Sequence, residues 1–157
     1  MPEIEVADVE SIISFNGCYR FLSNFYEPRR PILWSGREWP SSEHAYQAEK
    51  TTFRNEKLAI MRCSTPGQAK RQGNNRQLTT LREDWGIRKH AVMFGILRAK
   101  FSDDALRSML SGTGEAILIE GNHWHDNYWG VCWCDKCPGN GQNILGRQLM
   151  QVRSRAS

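Results

Sequence analysis

The segment "SEHAYQAEK", which ends at Lys50, carries three residues whose types and spacing could do chemistry. Glu43, Gln47 and Lys50 follow one another at i, i+4 and i+7. On a helix, Gln47 would lie about 40° and Lys50 about 20° from Glu43 around the axis, so an acid, an amide and an amine would share one stripe. A solvated face with a weak i, i+4 contact is one interpretation, and composition favours it. One wall of a reactive site is the other.

A second group is the segment "HWHDNYWG", which runs from His123 to Gly130. It holds two histidines, Asp126 and two tryptophans within eight residues. A polar surface loop pinned by its aromatic rings would look like this. So would a binding loop, because loops held by a rigid scaffold often carry function.

Three cysteines follow closely in the segment "CWCDKC". Cys132, Cys134 and Cys137 offer three soft ligands, and His123 or His125 could supply the fourth position of a tetrahedral zinc site. We take His123 as the fourth ligand of a structural zinc site. The spacing differs from a repeated C-x2-C pair, so free buried thiols are the alternative.

The segment "PGNGQNILG" forms a glycine-rich loop before a predicted helix. Gly141 and Asn143 lie in it, and backbone N–H groups at such a junction can hold a phosphate. The loop lacks the lysine-serine ending of a P-loop and the dinucleotide fingerprint that follows a strand. By itself it indicates no particular nucleotide.

The composition bounds the class of protein that must position these groups. The chain has 157 residues, 39% of them apolar and 24% charged, with a net charge of +4. These values predict one globular domain over residues 1–157. The sequence contains no apolar run of about 18 residues, so we predict no membrane contact. An odd number of cysteines, five, fits reduced thiols, and we expect a cytoplasmic protein.

The predicted elements are mostly helical. Residues 1–10 are expected to be poorly ordered or an edge strand, "SIISFNG" and "EAILIEG" to be short strands, and "ILWSGREW" to be a hairpin around Ser35 and Gly36. Ser41 or Ser42 can cap a first helix, Thr65 a second, and the run Ser102-Asp103-Asp104 a third, while "RKHAVMFGILRAKF" and "ILGRQLMQVR" show helical spacing. The fold class is α+β, helix-dominated with a few short strands.

Taken together, several segments resemble one family, the NADAR or YbiA-like proteins. They occur in the family's order: "FLSNFY", "WPSSEHAYQAEK", "AKRQG", "LREDW", "LRAKF", "GTGEAILIE", "DNYWG" and "GQNILGRQLMQVR". The resemblance extends from about Phe15 to Arg153. It implies a compact α+β domain and an N-glycosidase. The substrate would be either a phosphorylated intermediate of riboflavin synthesis or an ADP-ribosylated guanine in a nucleotide or in DNA.

The resemblance also implies roles for individual residues. Glu43 and Asp126 would be the catalytic carboxylates, Trp85 would stack on the base or ribose, and Lys50 or Lys100 could form a Schiff base with C1 of the ribose. The residues expected to bind substrate are Asn24, Gln47, Trp129 and Gly130, with Arg20, Gly141 and Asn143 as phosphate contacts.

No cofactor is expected in catalysis, and a zinc ion would be structural. The cysteine trio interrupts a loop that is merely glycine-rich in the bacterial YbiA branch, which leaves the substrate open between the branches. A non-catalytic module that senses ADP-ribose or NAD is the alternative function. A nucleic-acid-binding protein ranks last, because the basic residues are spread along the chain.

Overall fold

The computed structural model describes residues 10–156, so the prediction for residues 1–9 lies outside the described part of the chain. Six strands are very short: β1 Ser11–Ile12, β2 Ile32–Trp34, β3 Arg37–Trp39, β4 Ile117–Leu118, β5 Gly121–Asn122 and β6 Val131–Cys132. They form separate pairs. β1 pairs with β4 in parallel, β2 with β3 antiparallel, and β5 with β6 in parallel. The predicted hairpin is confirmed, and Ser35 and Gly36 both have positive φ, as its two-residue turn requires.

Six α-helices supply most of the fold: α1 Ser42–Ala48, α2 Arg54–Met61, α3 Pro66–Asn74, α4 Trp85–Lys100, α5 Asp104–Ser111 and α6 Ile144–Arg155. A 3-10 helix, which was not predicted, covers Gly17–Leu22. Three predicted caps are present, because the side chains of Ser41, Thr65 and Asp103 accept backbone N–H bonds at the starts of α1, α3 and α5. Helix α2 was not predicted.

Helix α1 lies at the centre of the helical layer and contacts α2, α3 and α4. All seven of its residues are buried. The interpretation of its polar stripe as a solvated face is therefore wrong, because no side of the helix faces solvent. Helix α4 supplies the largest part of the core through Val92, Met93, Ile96 and Leu97. Within residues 10–156, no helix is long and apolar enough to cross a bilayer.

The close approach of α1 and α3 depends on Gly73. A Cβ atom at this position would lie 2.7 Å from Cβ of Gln47 and 2.1 Å from its Oε1. We expect Gly73→Ala to lower the free energy of unfolding by about 1–3 kcal/mol, because the backbones of two packed helices would have to separate.

Gly86→Ala in α4 is the matched control, since a Cβ there meets nothing within 4 Å. It should raise the free energy of unfolding by up to about 1 kcal/mol through helix propensity. Urea denaturation measures both. Equal stability of the two variants would contradict the close-packing argument.

Candidate functional site

One cavity gathers most of the polar residues that the sequence singled out. It has a volume of about 320 Å³. Its walls come from α1, from α3, from the loop that follows the 3-10 helix and from the segment after β4. The lining includes Ser23, Asn24, Phe25, Glu43, Tyr46, Gln47, Lys50, Lys70, Asn74, Met93, Glu120, Trp124, His125, Asp126, Trp129 and Leu145.

Glu43 lies in the first turn of α1 and is 6% exposed. Its Oε1 accepts a hydrogen bond from Nε2 of Gln47 at 2.7 Å, so the i, i+4 contact is present. Its backbone N–H donates to the carbonyl of Asn24 at 3.0 Å, which ties the helix to the facing loop. Burial raises the pKa of Glu43, while the bond from Gln47 and the charges of Lys70 and Lys50 act in the opposite direction.

Glu120 is a third carboxylate in the cavity, and the sequence analysis missed it. Burial raises its pKa to about 7, and the negative charge of Asp126 adds to the shift. Lys100 and Lys70 oppose it. The signal that could have revealed Glu120 is its position directly after the apolar run "AILI".

Asp126 is held by backbone hydrogen bonds. Its Oδ1 accepts from the N–H groups of Tyr128 at 3.1 Å and Trp129 at 2.9 Å. Asn122 is 1% exposed and fixes the same turn. Its Oδ1 accepts from the N–H of Asp126 at 3.1 Å and its Nδ2 donates to the Asp126 carbonyl at 2.8 Å. The carboxylate therefore faces the cavity from a rigid turn.

The structure separates the two candidate lysines. Lys50 lines the cavity and donates to Oδ1 of Asn74 at 2.7 Å. It lies just after the end of α1 at Ala48 and not on the helix itself. Burial lowers its pKa to about 8.

Lys100 is buried next to the cavity and is not among the residues that line it. It is 1% exposed and donates to the carbonyl of Ser23 at 2.9 Å, with its Nζ 5.2 Å from the centroid of the Phe101 ring. Burial lowers its pKa to about 7. Lys100 is not a lining residue, but its amine contacts Ser23 and its charge acts on Glu120, both of which line the cavity, so its catalytic role stays a prediction. Lys70 of α3, which was not predicted, lines the cavity instead.

The aromatic residues form two groups. Trp129 and Tyr46 line the cavity and meet edge to face with ring centroids 5.6 Å apart. Trp85 lies behind Tyr46, at 5.1 Å between centroids, and is 8% exposed. It supports Tyr46 and does not reach the cavity, so the prediction that it stacks on substrate is wrong. Phe25 and Trp124, which are 44% and 63% exposed, are the lining rings available for stacking.

Asn24 and Gln47 each bring an amide to the cavity wall. Nδ2 of Asn24 contacts the sulfur of Met93 at 3.6 Å. Within residues 10–156, the buried Oδ1 of Asn24 and Oε1 of Gln47 have no hydrogen-bond partner. The Asn24 acceptor is therefore suited to a donor on a ligand, whereas Oε1 of Gln47 faces Gly73 of α3.

The other predicted substrate contacts have structural roles. Asn143 donates to the carbonyl of Leu118 at 2.8 Å and accepts from the N–H of Glu120 at 3.0 Å, which fixes the chain at Glu120. Gly130 and Gly141 are needed because a Cβ on either one would lie 2.1 Å from a carbonyl oxygen. The assignment of Asn143 as a phosphate contact is wrong, because its amide is used within the protein, whereas contacts of Gly130 and Gly141 with substrate stay predictions.

Arg20 is exposed and lies in a neighbouring cleft of about 260 Å³. That cleft shares Ser23, Phe25, Glu120 and Trp124 with the main cavity. Arg20 thus lies outside the cavity in which the carboxylates meet.

The cysteine trio is brought together with a histidine next to the cavity. The donor atoms of His125, Cys132, Cys134 and Cys137 lie within 4.8 Å of one another. His123 is not part of this group, so its assignment as the fourth ligand is wrong. The chain turns at His125, which has a φ of 68°, and this turn directs its ring toward the sulfurs.

The geometry defines a class of protein: a helical α+β domain in which three carboxylates and two lysines surround one cavity. The chain belongs to the NADAR domain family, whose family model matches residues 14–156.

Curated and solved relatives agree with that membership. The N-glycosidase YbiA of Shigella flexneri is 40% identical over 148 residues, which cover 92% of this chain and 88% of the relative. The NMR structure of Escherichia coli YbiA superposes with a TM-score of 0.77 at 36% identity, covering 98% of this chain and 89% of that one. A riboflavin biosynthesis protein of Vibrio vulnificus is 40% identical over 134 residues, which cover 85% of this chain and 34% of that protein.

Proposed function

We propose that the protein is an N-glycosidase that hydrolyses the bond between a base and a phosphorylated ribose. The observation that carries the proposal is the convergence of Glu43, Glu120 and Asp126 on one cavity that also holds Lys50 and Lys70. The N-glycosidase name of the YbiA relatives supports the same activity.

The carboxylates suit this reaction because breaking an N-glycosidic bond builds positive charge at C1 of the ribose. Glu43 stabilises that charge and takes a proton from the attacking water, whose oxygen bonds to C1. Glu120, with its pKa near 7, donates a proton to the departing base. Asp126 raises the pKa of both glutamates and so helps to keep Glu120 protonated.

The substrate class follows from the charges and rings around the cavity. Lys70 and Lys50 provide positive charge for a phosphate group, and Phe25 and Trp124 can stack on a base. A phosphorylated intermediate of riboflavin synthesis is the first candidate, supported by the name of the Vibrio relative.

An ADP-ribosylated guanine, in a nucleotide or in DNA, is the second candidate substrate. An open groove of about 740 Å³ adjoins the cavity and shares Phe25, Lys70, Asn74 and Trp124 with it. Arg71 adds another cation to the groove. A groove of this size and charge favours a ligand longer than a nucleoside monophosphate.

Product analysis tests the proposal and separates the candidates. The protein is incubated with phosphorylated riboflavin intermediates and, separately, with ADP-ribosylated guanosine, and the products are identified by mass spectrometry. We expect a free base and a free ribose phosphate, or free ADP-ribose, from one of the two. Absence of turnover together with calorimetric binding of ADP-ribose would instead indicate a sensor module.

A covalent route through Lys50 is the second candidate mechanism, favoured by its position in the cavity and its pKa of about 8. The amine would bond to C1 as the base leaves with its bonding electrons and a proton. Ring opening would then give an imine that water hydrolyses. This route predicts that borohydride reduces the imine to a stable adduct on the peptide containing Lys50.

Peptide mass spectrometry checks this expectation. The adduct should disappear in Lys50→Arg and remain in Lys57→Arg, whose lysine pairs with Glu49 outside the cavity. If active wild-type protein yields no adduct, the covalent route is wrong and direct hydrolysis stands.

A further inference from the structure

The cluster of His125, Cys132, Cys134 and Cys137 has the composition and the size of a metal site. Nδ1 of His125 lies 3.3 Å from Sγ of Cys137 and 3.4 Å from Sγ of Cys134. All four donor atoms lie within 4.8 Å of one another. In a tetrahedral zinc site with Zn–S bonds of about 2.3 Å, neighbouring sulfurs are separated by about 3.8 Å. The four donors are therefore close to the separations that one zinc ion requires.

The backbone around the cysteines holds them in this arrangement. The N–H of Cys132 donates to the Asn140 carbonyl, and the N–H of Gly139 donates back to Cys132, both at 2.9 Å. The N–H of Cys137 donates to the carbonyl of Cys134 at 3.1 Å, which forms a tight turn between two of the ligands. The loop is thus closed on itself by main-chain bonds before any ion is considered.

Two further donors point at the sulfurs. Nδ2 of Asn127 lies 3.6 Å from Sγ of Cys137, and the N–H of His125 lies 3.4 Å from Sγ of Cys132. Outer-shell N–H contacts of this kind orient the ligand atoms of a metal site. Among the described cysteines none is in a disulfide, so all three sulfurs are free to act as ligands.

The position of the cluster links it to the cavity. His125 lies between Trp124 and Asp126, and all three residues line the cavity. A ligand bond to His125 would therefore fix the segment that presents both an exposed aromatic ring and a carboxylate. Because four protein donors complete a tetrahedral shell, an ion here would have no open position for water or substrate.

We propose that His125, Cys132, Cys134 and Cys137 bind one structural zinc ion, which holds the Trp124–Asp126 wall of the cavity in place. The binding itself does not depend on the proposed N-glycosidase activity. It can be measured on a protein with no known substrate.

Metal analysis of the purified protein tests the proposal. We expect one equivalent of zinc in protein prepared with reductant and without chelator. Cobalt substitution should give the absorption bands of a tetrahedral thiolate site. Cys134→Ser should lower the zinc content at least tenfold, whereas Cys18→Ser and Cys63→Ser, which alter the two cysteines outside the cluster, should retain the full equivalent.

A gentler variant guards against misfolding of Cys134→Ser. Asn127→Ala leaves all four ligands intact, and loss of its bond to Cys137 should weaken zinc binding by about 10–100-fold. Removing zinc from the wild type should also speed amide hydrogen exchange at Tyr128 and Trp129, whose N–H groups bond to Asp126. Unchanged exchange would overturn the role in holding the wall.

The proposed metal site would be overturned by three results together. The wild-type protein would contain less than a tenth of an equivalent of zinc, take up none on reconstitution and show five titratable thiols. That result would leave the proposed glycosidase activity standing. If the protein holds a full equivalent of zinc but releases no product from either substrate, the proposed glycosidase activity is overturned and the metal site stands.

Discussion

Glu43→Gln is expected to lower kcat by about 10³-fold while substrate still binds. The change removes the negative charge that would face C1 of the ribose in the proposed mechanism, but it keeps the size of the side chain. The amide oxygen at position 43 can still accept the hydrogen bond that Gln47 donates at 2.7 Å. Steady-state assays of product formation give kcat, and calorimetry on the inactive variant gives its affinity for the substrate.

Glu49→Gln is the matched control for this experiment. Glu49 follows α1 directly, is also 6% exposed, and pairs with Lys57 at 3.5 Å outside the cavity. Glu49→Gln should keep kcat within about twofold, because Glu49 does not line the cavity and its charge does not contact the reacting atoms. If Glu43→Gln retains more than a tenth of wild-type kcat, Glu43 is not the group that stabilises the transition state.

Glu120→Gln is expected to lower kcat by about 10²-fold and to change the pH profile. The wild-type pKa of about 7 means that Glu120 is protonated below neutrality and ionised above it. As the proton donor, it should make activity fall by about tenfold per pH unit above pH 7. The glutamine variant should lack this fall, because its amide does not titrate.

The environment of Glu120 explains why its pKa is raised and why activity should fall, not rise, above pH 7. Burial and the charges of Asp126 and Glu43 raise its pKa, and Lys100 and Lys70 lower it. Glu38→Gln, at an exposed acid of β3, is the control and should keep the wild-type profile. A wild-type rate that rises through pH 7 would contradict the assignment of Glu120 as the acid.

The same shift has a consequence for stability. The folded chain holds the Glu120 proton with a pKa of about 7, compared with an ordinary value of 4.5. The folded state therefore binds more protons than the unfolded state between these pH values. The contribution of Glu120 to the free energy of unfolding is present below pH 4.5 and is lost as the pH rises through about 7.

Local features of the fold could be predicted from the sequence because they depend on neighbours in the chain. The cap at Ser41, the hairpin turn at Ser35 and Gly36, and the contact between Glu43 and Gln47 all span five residues or fewer. Helix α2 escaped prediction for an equally local reason. Its residues "RNEKLAIM" include one buried side chain, Ile60, and Phe53 at its N-cap offers no capping bond.

The parts that the sequence could not predict depend on distant contacts. Glu120 reaches the cavity because β4 pairs with β1, which joins residues more than 100 positions apart. The sequence does not distinguish Lys50 from Lys100, and only the fold shows that Lys50 lines the cavity whereas Lys100 is 1% exposed and bonded to Ser23. Asn143 resembled a phosphate contact because the local pattern does not reveal that its amide is used by Leu118 and Glu120.

The residues on either side of β4 form hydrogen bonds with segments near both ends of the described chain. Ile119 donates to the carbonyl of Ile12 at 2.9 Å, and Arg153 of α6 donates to the carbonyl of Ala116, also at 2.9 Å. Glu120 follows this strand directly. Removing the segment around Ile12 or the end of α6 would thus remove a contact beside the strand that precedes Glu120, so both segments, remote from Glu120 in sequence, help to position the proposed acid.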